Sequence, residues 1–322
     1  MRLFYPKLPV VKFFACASVE NGARALRKGA GHSVPRAHGK GEGCLLDPVS
    51  LKTLQGRALV VRRDIVGMLR NANAGSLFSS FSAVELLVWL YGAVLRAGPG
   101  GADEDGRDRF VLSRVSAAPA LYAVLAERGF FGRDELWSYA RLGSLLQAAP
   151  ECPRTPGVDV SCGAPGMGAG IALGLALSLK DNQPAAHVFC LMGAEELMMG
   201  ATWEVLAAVR APENLTLIVE CPETPSCGRG TPRGFDWAAD RLSAMGCRIA
   251  HADGHDYASL EEARSLLSGS ENRSEGRFRV VLARTVHGRG LPSLRERPLD
   301  DASVLDSQVT ELLIRGLEDL PS

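Results

Sequence analysis

Aromatic residues are scarce, at 6% of the chain. That scarcity weighs against a surface built to stack nucleic-acid bases. Excess charge of either sign is missing too, because 36 Lys and Arg balance 36 Asp and Glu. No global field draws the chain to nucleic acid or to an anionic membrane, and neither is expected as a partner. No apolar run reaches the ~18–20 residues needed to span a bilayer. The stretch from Gly166 to Leu179 is too short and ends at Lys180. The eight cysteines (16, 44, 152, 162, 190, 221, 227 and 247) form no Cys-x-x-Cys pair and no zinc-like spacing. Several lie in apolar runs, where a thiol behaves as a small hydrophobe. Free thiols in a reducing, cytoplasmic setting are expected. No internal repeat is visible.

What is present reads as an ordinary globular chain, with 46% hydrophobic and 22% charged residues over 322 positions. That length can bury a large core, as one big domain or two small ones. Residues 1–48 read as a basic extension; the first 45 carry eight Lys and Arg against two acids, Glu20 and Glu42. Val10 to Cys16 is weakly like a signal core, but it is short and Lys12 interrupts it. An organellar transit segment and a flexible extension both fit this composition. Residues 49–290 read as the main domain, and 291–322 as a tail with one amphipathic helix, Val304 to Leu317.

Within the main domain, apolar spacing predicts a helix over 51–72. A Gly/Ser loop over 75–80 follows. Ser82 is expected to N-cap a helix through Leu95, with Glu85 completing a capping box. Ala117 to Gly129 and Asp134 to Leu142 read as helical. Beyond them the pattern alternates. Strand-like runs are His187–Met192, Leu215–Glu220, Cys247–Ala252 and Arg279–Thr285. Helical stretches Glu196–Val209, Asp236–Met245 and Tyr257–Leu267 separate them. This alternation predicts an α/β fold, a doubly wound parallel sheet with helices on both faces. Ligands then belong at the carboxyl ends of the strands.

One such strand end is Leu191-Met192-Gly193-Ala194-Glu195-Glu196-Leu197. A strand-to-helix turn is where an α/β protein places a diphosphate and its metal. Gly193 supplies the tight turn. The next position, where a metal-binding carboxylate is expected, holds Ala194.

Four blocks carry a family resemblance. The first is Arg62-Arg63-Asp64-Ile65, then Ser82-Ala83-Val84-Glu85-Leu86-Leu87. The second runs from Arg107 to Arg114 and from Ala117 to Glu127, and is long and specific. The third is Thr155-Pro156-Gly157-Val158 with Gly163, Gly166, Gly168 and Ala172. The fourth is Asp253-Gly254-His255-Asp256, then Arg284-Thr285-Val286-His287-Gly288-Arg289-Gly290. In order and spacing these resemble the N-terminal, diphosphate-binding part of transketolases, as found in split transketolases of the thiamine diphosphate-dependent superfamily. The resemblance covers about residues 55–290. It implies thiamine diphosphate and Mg²⁺ as cofactors and two-carbon ketol transfer as the activity. It also implies a homodimer, or a heteromer with a C-terminal, pyrimidine-domain subunit that supplies the activating glutamate.

Carried over residue by residue, the resemblance exposes a degenerate site. The family's Mg²⁺-binding aspartate falls at Ala194 and its asparagine at about Pro222. Glu196 matches a family glutamate that is not a metal ligand. Three active-site histidines fall at Ser76, Ser116 and Ala149. Such histidines act as acid–base groups near neutral pH, which serine and alanine cannot do. The remaining cofactor-binding candidates are Gly163, Gly166, Gly168, Gly193 and Glu196. Gly168 opens a small-residue helix suited either to phosphate approach or to close packing on the sheet. His255 is a catalytic candidate or part of a turn and N-cap. His287, in place of a family lysine, is an acid–base candidate or a surface-turn residue. Glu195 and Glu220 are alternative metal ligands, although Glu195 brings negative charge to a diphosphate's path. Arg229 and Arg233 bind an anion or sit in a solvated loop. The expectation is a catalytically impaired subunit, structural or regulatory in role. An active split-transketolase half and a small-anion or metabolite binder using the old cleft stand as alternatives.

Overall fold

The computed structural model describes residues 47–99, 106–208, 211–223, 234–268, 278–291 and 307–318. The basic extension, apart from Asp47 and Pro48, and both loop arginines, Arg229 and Arg233, lie outside the described residues.

Helix α1 spans Pro48–Ala72. It begins one turn earlier than the apolar spacing suggested. The Asp47 carboxylate accepts from the Val49 and Ser50 N–H groups, both at 2.9 Å, and Pro48 pre-sets the first helical φ. Asn73, in the left-handed region at φ 52°, ends it. Leu54, Ala58, Val61, Ile65 and Met68 recur at helical spacing on its buried face.

The segment read as a Gly/Ser loop is instead helix α2, Leu77–Ser82. Leu77, Phe78 and Phe81 are buried there, and Ser80 and Ser82 donate to the backbone carbonyls of Ser76 (2.6 Å) and Ser79 (3.1 Å). Ser82 thus closes α2 and caps nothing. Helix α3, Val84–Trp89, follows and widens into a π-turn, Leu90–Val94. The capping box does not form, because the Glu85 carboxylate is drawn inward to Arg62 and His255.

Strand β1, Arg109–Leu112, was not legible as a strand. A 3₁₀ turn, Val115–Ala117, leads into α4, Ala118–Glu127. A second 3₁₀ turn, Arg133–Ser138, replaces the helix expected over 134–142. Then come α5 (Gly168–Asn182), β2 (Val188–Gly193), a 3₁₀ turn (Ala194–Met198), α6 (Gly200–Ala208) and β3 (Leu215–Pro222). Helix α7 (Phe235–Ala244), β4 (Arg248–Asp253), α8 (Tyr257–Ser268), β5 (Arg279–Thr285) and α9 (Ser307–Glu318) complete the order.

The five strands form one parallel sheet in the order β1-β2-β3-β5-β4. Both faces are covered, as the alternation predicts. Along β2, Phe189 and Leu191 join the core shared with α1, α3, α4, α8 and α9. Val188, Cys190 and Met192 join the opposite core with α5, α6 and α7. Ala169, Ala172 and Ala176 let α5 lie close to the sheet. Leu313 and Leu317 of α9 are fully buried in the α1 core, each worth about 1.5–3 kcal/mol. No described helix is long and apolar enough to cross a membrane.

Candidate functional site

The carboxyl ends of β1, β2, β3 and β5 bring Ser113 and Arg114, Gly193 to Glu196, Glu220 to Pro222, and Thr285 to His287 to one edge of the sheet. Glu196 is the hub. It is buried, and the 3₁₀ turn after β2 folds its side chain back over the strand end. Its Oε1 accepts from the Gly193 N–H at 2.9 Å. Its Oε2 accepts from the Gly166 N–H at 2.7 Å and from the Ser113 hydroxyl. Ser113 Oγ in turn accepts from the Gly168 N–H at 3.2 Å. Burial pushes the Glu196 carboxyl above its ordinary value, opposed by the bonds from Ser113, Gly193 and Gly166.

This hub defines what the glycine loop does. Gly166 has φ +84°, and a Cβ there would lie 2.6 Å from the Met199 Cβ. At Gly168 a Cβ would sit 2.8 Å from the Ser113 Cα, so α5 packs hard against the end of β1. The Gly166 N–H serves Glu196 and the Gly168 N–H serves Ser113. Gly163 is exposed, with open space around it.

A second cluster lies beside the hub. Arg114, only 3% exposed, pairs with Glu220, which is fully buried at the end of β3. Its Nε also lies 3.4 Å from the Glu195 Oε1. Thr285 donates to the Glu220 Oε1 at 3.3 Å. Ala194 is buried, and Pro222 pairs with Thr285 across β3 and β5. Both alternative metal carboxylates, Glu195 and Glu220, are thus engaged by one guanidinium. Among the described residues no group of three or more His, Cys, Asp or Glu is arranged to hold a metal ion.

The remaining candidates spread around this edge. Ser76 precedes α2 without a side-chain capping bond, and Ser116 lies in the 3₁₀ turn against which α2 packs. Ala149 is half-buried, two residues past Gln147, whose carbonyl accepts from the Tyr122 hydroxyl at 2.7 Å. His287 stacks on Phe78 of α2, with ring centroids 5.2 Å apart and planes 12° from parallel. His255 Nε2 accepts from the Val286 N–H at 2.8 Å, so its proton sits on Nδ1 and is donated to Glu85 Oε2, also at 2.8 Å. Both ring nitrogens are therefore committed within the protein. Asp256 caps α8 through the Ala258 N–H at 3.0 Å, and Asp253 accepts from the His255 N–H at 2.8 Å. Glu85 also accepts from Arg62 Nη2 at 2.6 Å. Burial alone would raise its carboxyl, but Arg62 and then His255 hold it at about 2.

A family model described as "Transketolase, thiamine diphosphate binding domain" matches residues 55–312. The chain belongs to this family. Human "Transketolase-like protein 2" is 33% identical over 259 residues, covering 76% of this chain and 40% of that protein. A protein of Actinobacillus succinogenes, named as one of the subunits of an apulose-4-phosphate transketolase, is 29% identical over 275 residues. That match covers 84% of this chain and 98% of the bacterial protein. The chain thus spans about two fifths of the human relative's length but nearly all of the bacterial one's. Among solved structures, transketolases from Leishmania mexicana and Campylobacter jejuni each superpose with TM-score 0.64 at 21% identity. They cover 82% and 83% of this chain, and 44% and 46% of theirs. The shared fold is that of the family's diphosphate-binding module.

Mg²⁺ requires hard oxygen ligands in near-octahedral array. Ala194 offers a methyl group and Pro222 no side-chain oxygen. Glu195 folds back so that a Cβ on Gly193 would overlap its carboxylate. The donor set therefore does not fit a metal–diphosphate pair held by these two turns.

Sequence reasoning missed Ser113, Arg114, Arg62 and the inward role of Glu85. One signal was available. Glu85 is the lone charge in the apolar run from Ala83 to Leu90, and a charge buried that way requires a partner.

Proposed function

We propose that this chain is a transketolase-family diphosphate-binding subunit that has kept its fold and lost metal-dependent cofactor chemistry. In this reading it is a structural or regulatory partner of a chain carrying the pyrimidine-binding domain. The carrying observation is the Arg114 cluster: two residues without a side-chain oxygen, Ala194 and Pro222, stand at the ligand positions, and both neighbouring carboxylates are engaged by one guanidinium. Ser76, Ser116 and Ala149 support the same reading, because none exchanges protons near neutral pH. The nearly full-length match to a bacterial protein whose name makes it one subunit of a transketolase supports the two-chain arrangement.

That same match favours a second reading, an active half of a split transketolase. One experiment separates them. The purified chain is mixed with a pyrimidine-domain subunit; complex formation, Mg²⁺–thiamine diphosphate binding and ketol transfer are then measured. The proposed function expects a complex that neither binds the metal–cofactor pair nor transfers ketol units. Metal-dependent micromolar binding or measurable transfer would establish the second reading instead. Self-association without the second subunit would make another copy of this chain the partner.

A further inference from the structure

We propose that the Glu195 carboxylate is the site's own resident anion, a tethered plug that takes the position an external diphosphate would need. The inference deepens the proposed function and rests on it. Three observations converge. First, the Glu195 side chain curls over the strand end, and a Cβ on Gly193 would overlap its carboxylate. The Gly193 face of the turn is thus already covered. Second, the Glu195 Oε1 reaches the Arg114 Nε at 3.4 Å, so this buried cation is already paired. Third, the Gly193 and Gly166 N–H groups donate to Glu196, at 2.9 and 2.7 Å.

The charges make the plug self-consistent. Arg114 faces two carboxylates, Glu195 and Glu220, and Glu196 lies in the turn beside them. A multiply charged anion approaching Arg114 without a metal meets two carboxylates against one guanidinium. The two partners of Arg114 are not equivalent. The Glu220 side chain is 0% exposed and fixed in β3, whereas that of Glu195 is 27% exposed on a turn. Only Glu195 can swing into solvent. Its withdrawal would free the face of Gly193 and one edge of the Arg114 guanidinium.

Inorganic pyrophosphate is the probe, titrated calorimetrically into the full chain with and without Mg²⁺. The wild-type chain should show no binding at millimolar pyrophosphate. Glu195→Gly should bind at least about tenfold more tightly than wild type. Glu195→Gln, which removes the charge and keeps the bulk, should fall between them. Wild type binding as tightly as Glu195→Gly, or no gain in Glu195→Gly, would overturn the plug. Should Glu195→Gly fail to fold, Glu195→Gln decides by itself, and no gain there overturns it. The two proposals fail separately. Tight wild-type pyrophosphate binding in a complex without ketol transfer removes the plug and leaves the proposed function standing. Ketol transfer by the complex removes the proposed function whatever pyrophosphate does.

Discussion

Replacing Arg62 by methionine should be among the most damaging single changes to this fold that leave the Glu196 hub intact. Methionine keeps most of the buried stem and deletes the guanidinium. The change strips Glu85 of the partner 2.6 Å from its Oε1, in a pair whose side chains are 5% and 10% exposed. Breaking one side of a buried, hydrogen-bonded pair costs about 3–5 kcal/mol, because the remaining charge is left uncompensated. For a domain of this size that corresponds to a fall in melting temperature of roughly 10 °C. The pH dependence gives a second reading of the same pair. Glu85 falls from the ordinary 4.5 to about 2, which corresponds to about 3 kcal/mol of stability. The sign follows from the direction. A carboxyl depressed on folding contributes fully above pH 4.5, and that contribution disappears as pH falls toward 2. Urea denaturation of wild type, Arg62→Met, Glu85→Gln and the double variant, repeated from about pH 7 to about pH 3, measures both quantities. The double variant should cost less than the two single changes added together. An Arg62→Met chain within about 1 kcal/mol of wild type would refute the reasoning. So would a Glu85→Gln chain that keeps the full acid slope.

Two further outcomes follow from the same geometry. Gly168→Ala should lower stability by about 1–3 kcal/mol by driving α5 off Ser113, read as a shifted urea midpoint. A neutral midpoint would show that Gly168 serves flexibility and not packing. Among the described cysteines, mass-mapped alkylation at about pH 8 should label exposed Cys152 first and reach Cys190 and Cys221 only on unfolding. Burial holds the Cys190 thiol up and pushes Cys221 to about 11, so labelling of either in the native chain would contradict their burial.

Most of the sheet was legible because its strands are short apolar runs separated by helical spacing. All four expected runs pair in parallel. β1 was not legible because it is four residues long, begins with Arg109, and is bounded by Arg107 and Asp108 on one side and Ser113 and Arg114 on the other. Its strand character comes from pairing with β2, which no local pattern records. α2 reads as a loop because Ser79, Ser80 and Ser82 make up half of it and Ser76 precedes it. Their hydroxyls can bond to backbone in place, so the buried Leu77, Phe78 and Phe81 decide the outcome. The site was legible as a set of substitutions against a family frame. Its replacement chemistry was not. Arg114 meets Glu220 from 106 positions away, and Glu85 meets His255 from 170. Only folding brings such pairs together; the lone charge of Glu85 in its apolar run signals that a partner exists but not which residue it is.

The strand order has a consequence for how the chain is made. β5 lies between β3 and β4, and among the described strands β4 pairs with β5 alone. During synthesis β3 and β4 therefore leave the ribosome before the strand that joins them. Until β5 arrives, β3 presents an open apolar edge and β4 has no neighbour. Vectorial folding can complete only the β1-β2-β3 half. The interval between translation of β4 and of β5 is when this protein is most exposed to wrong pairing, chaperone capture and aggregation.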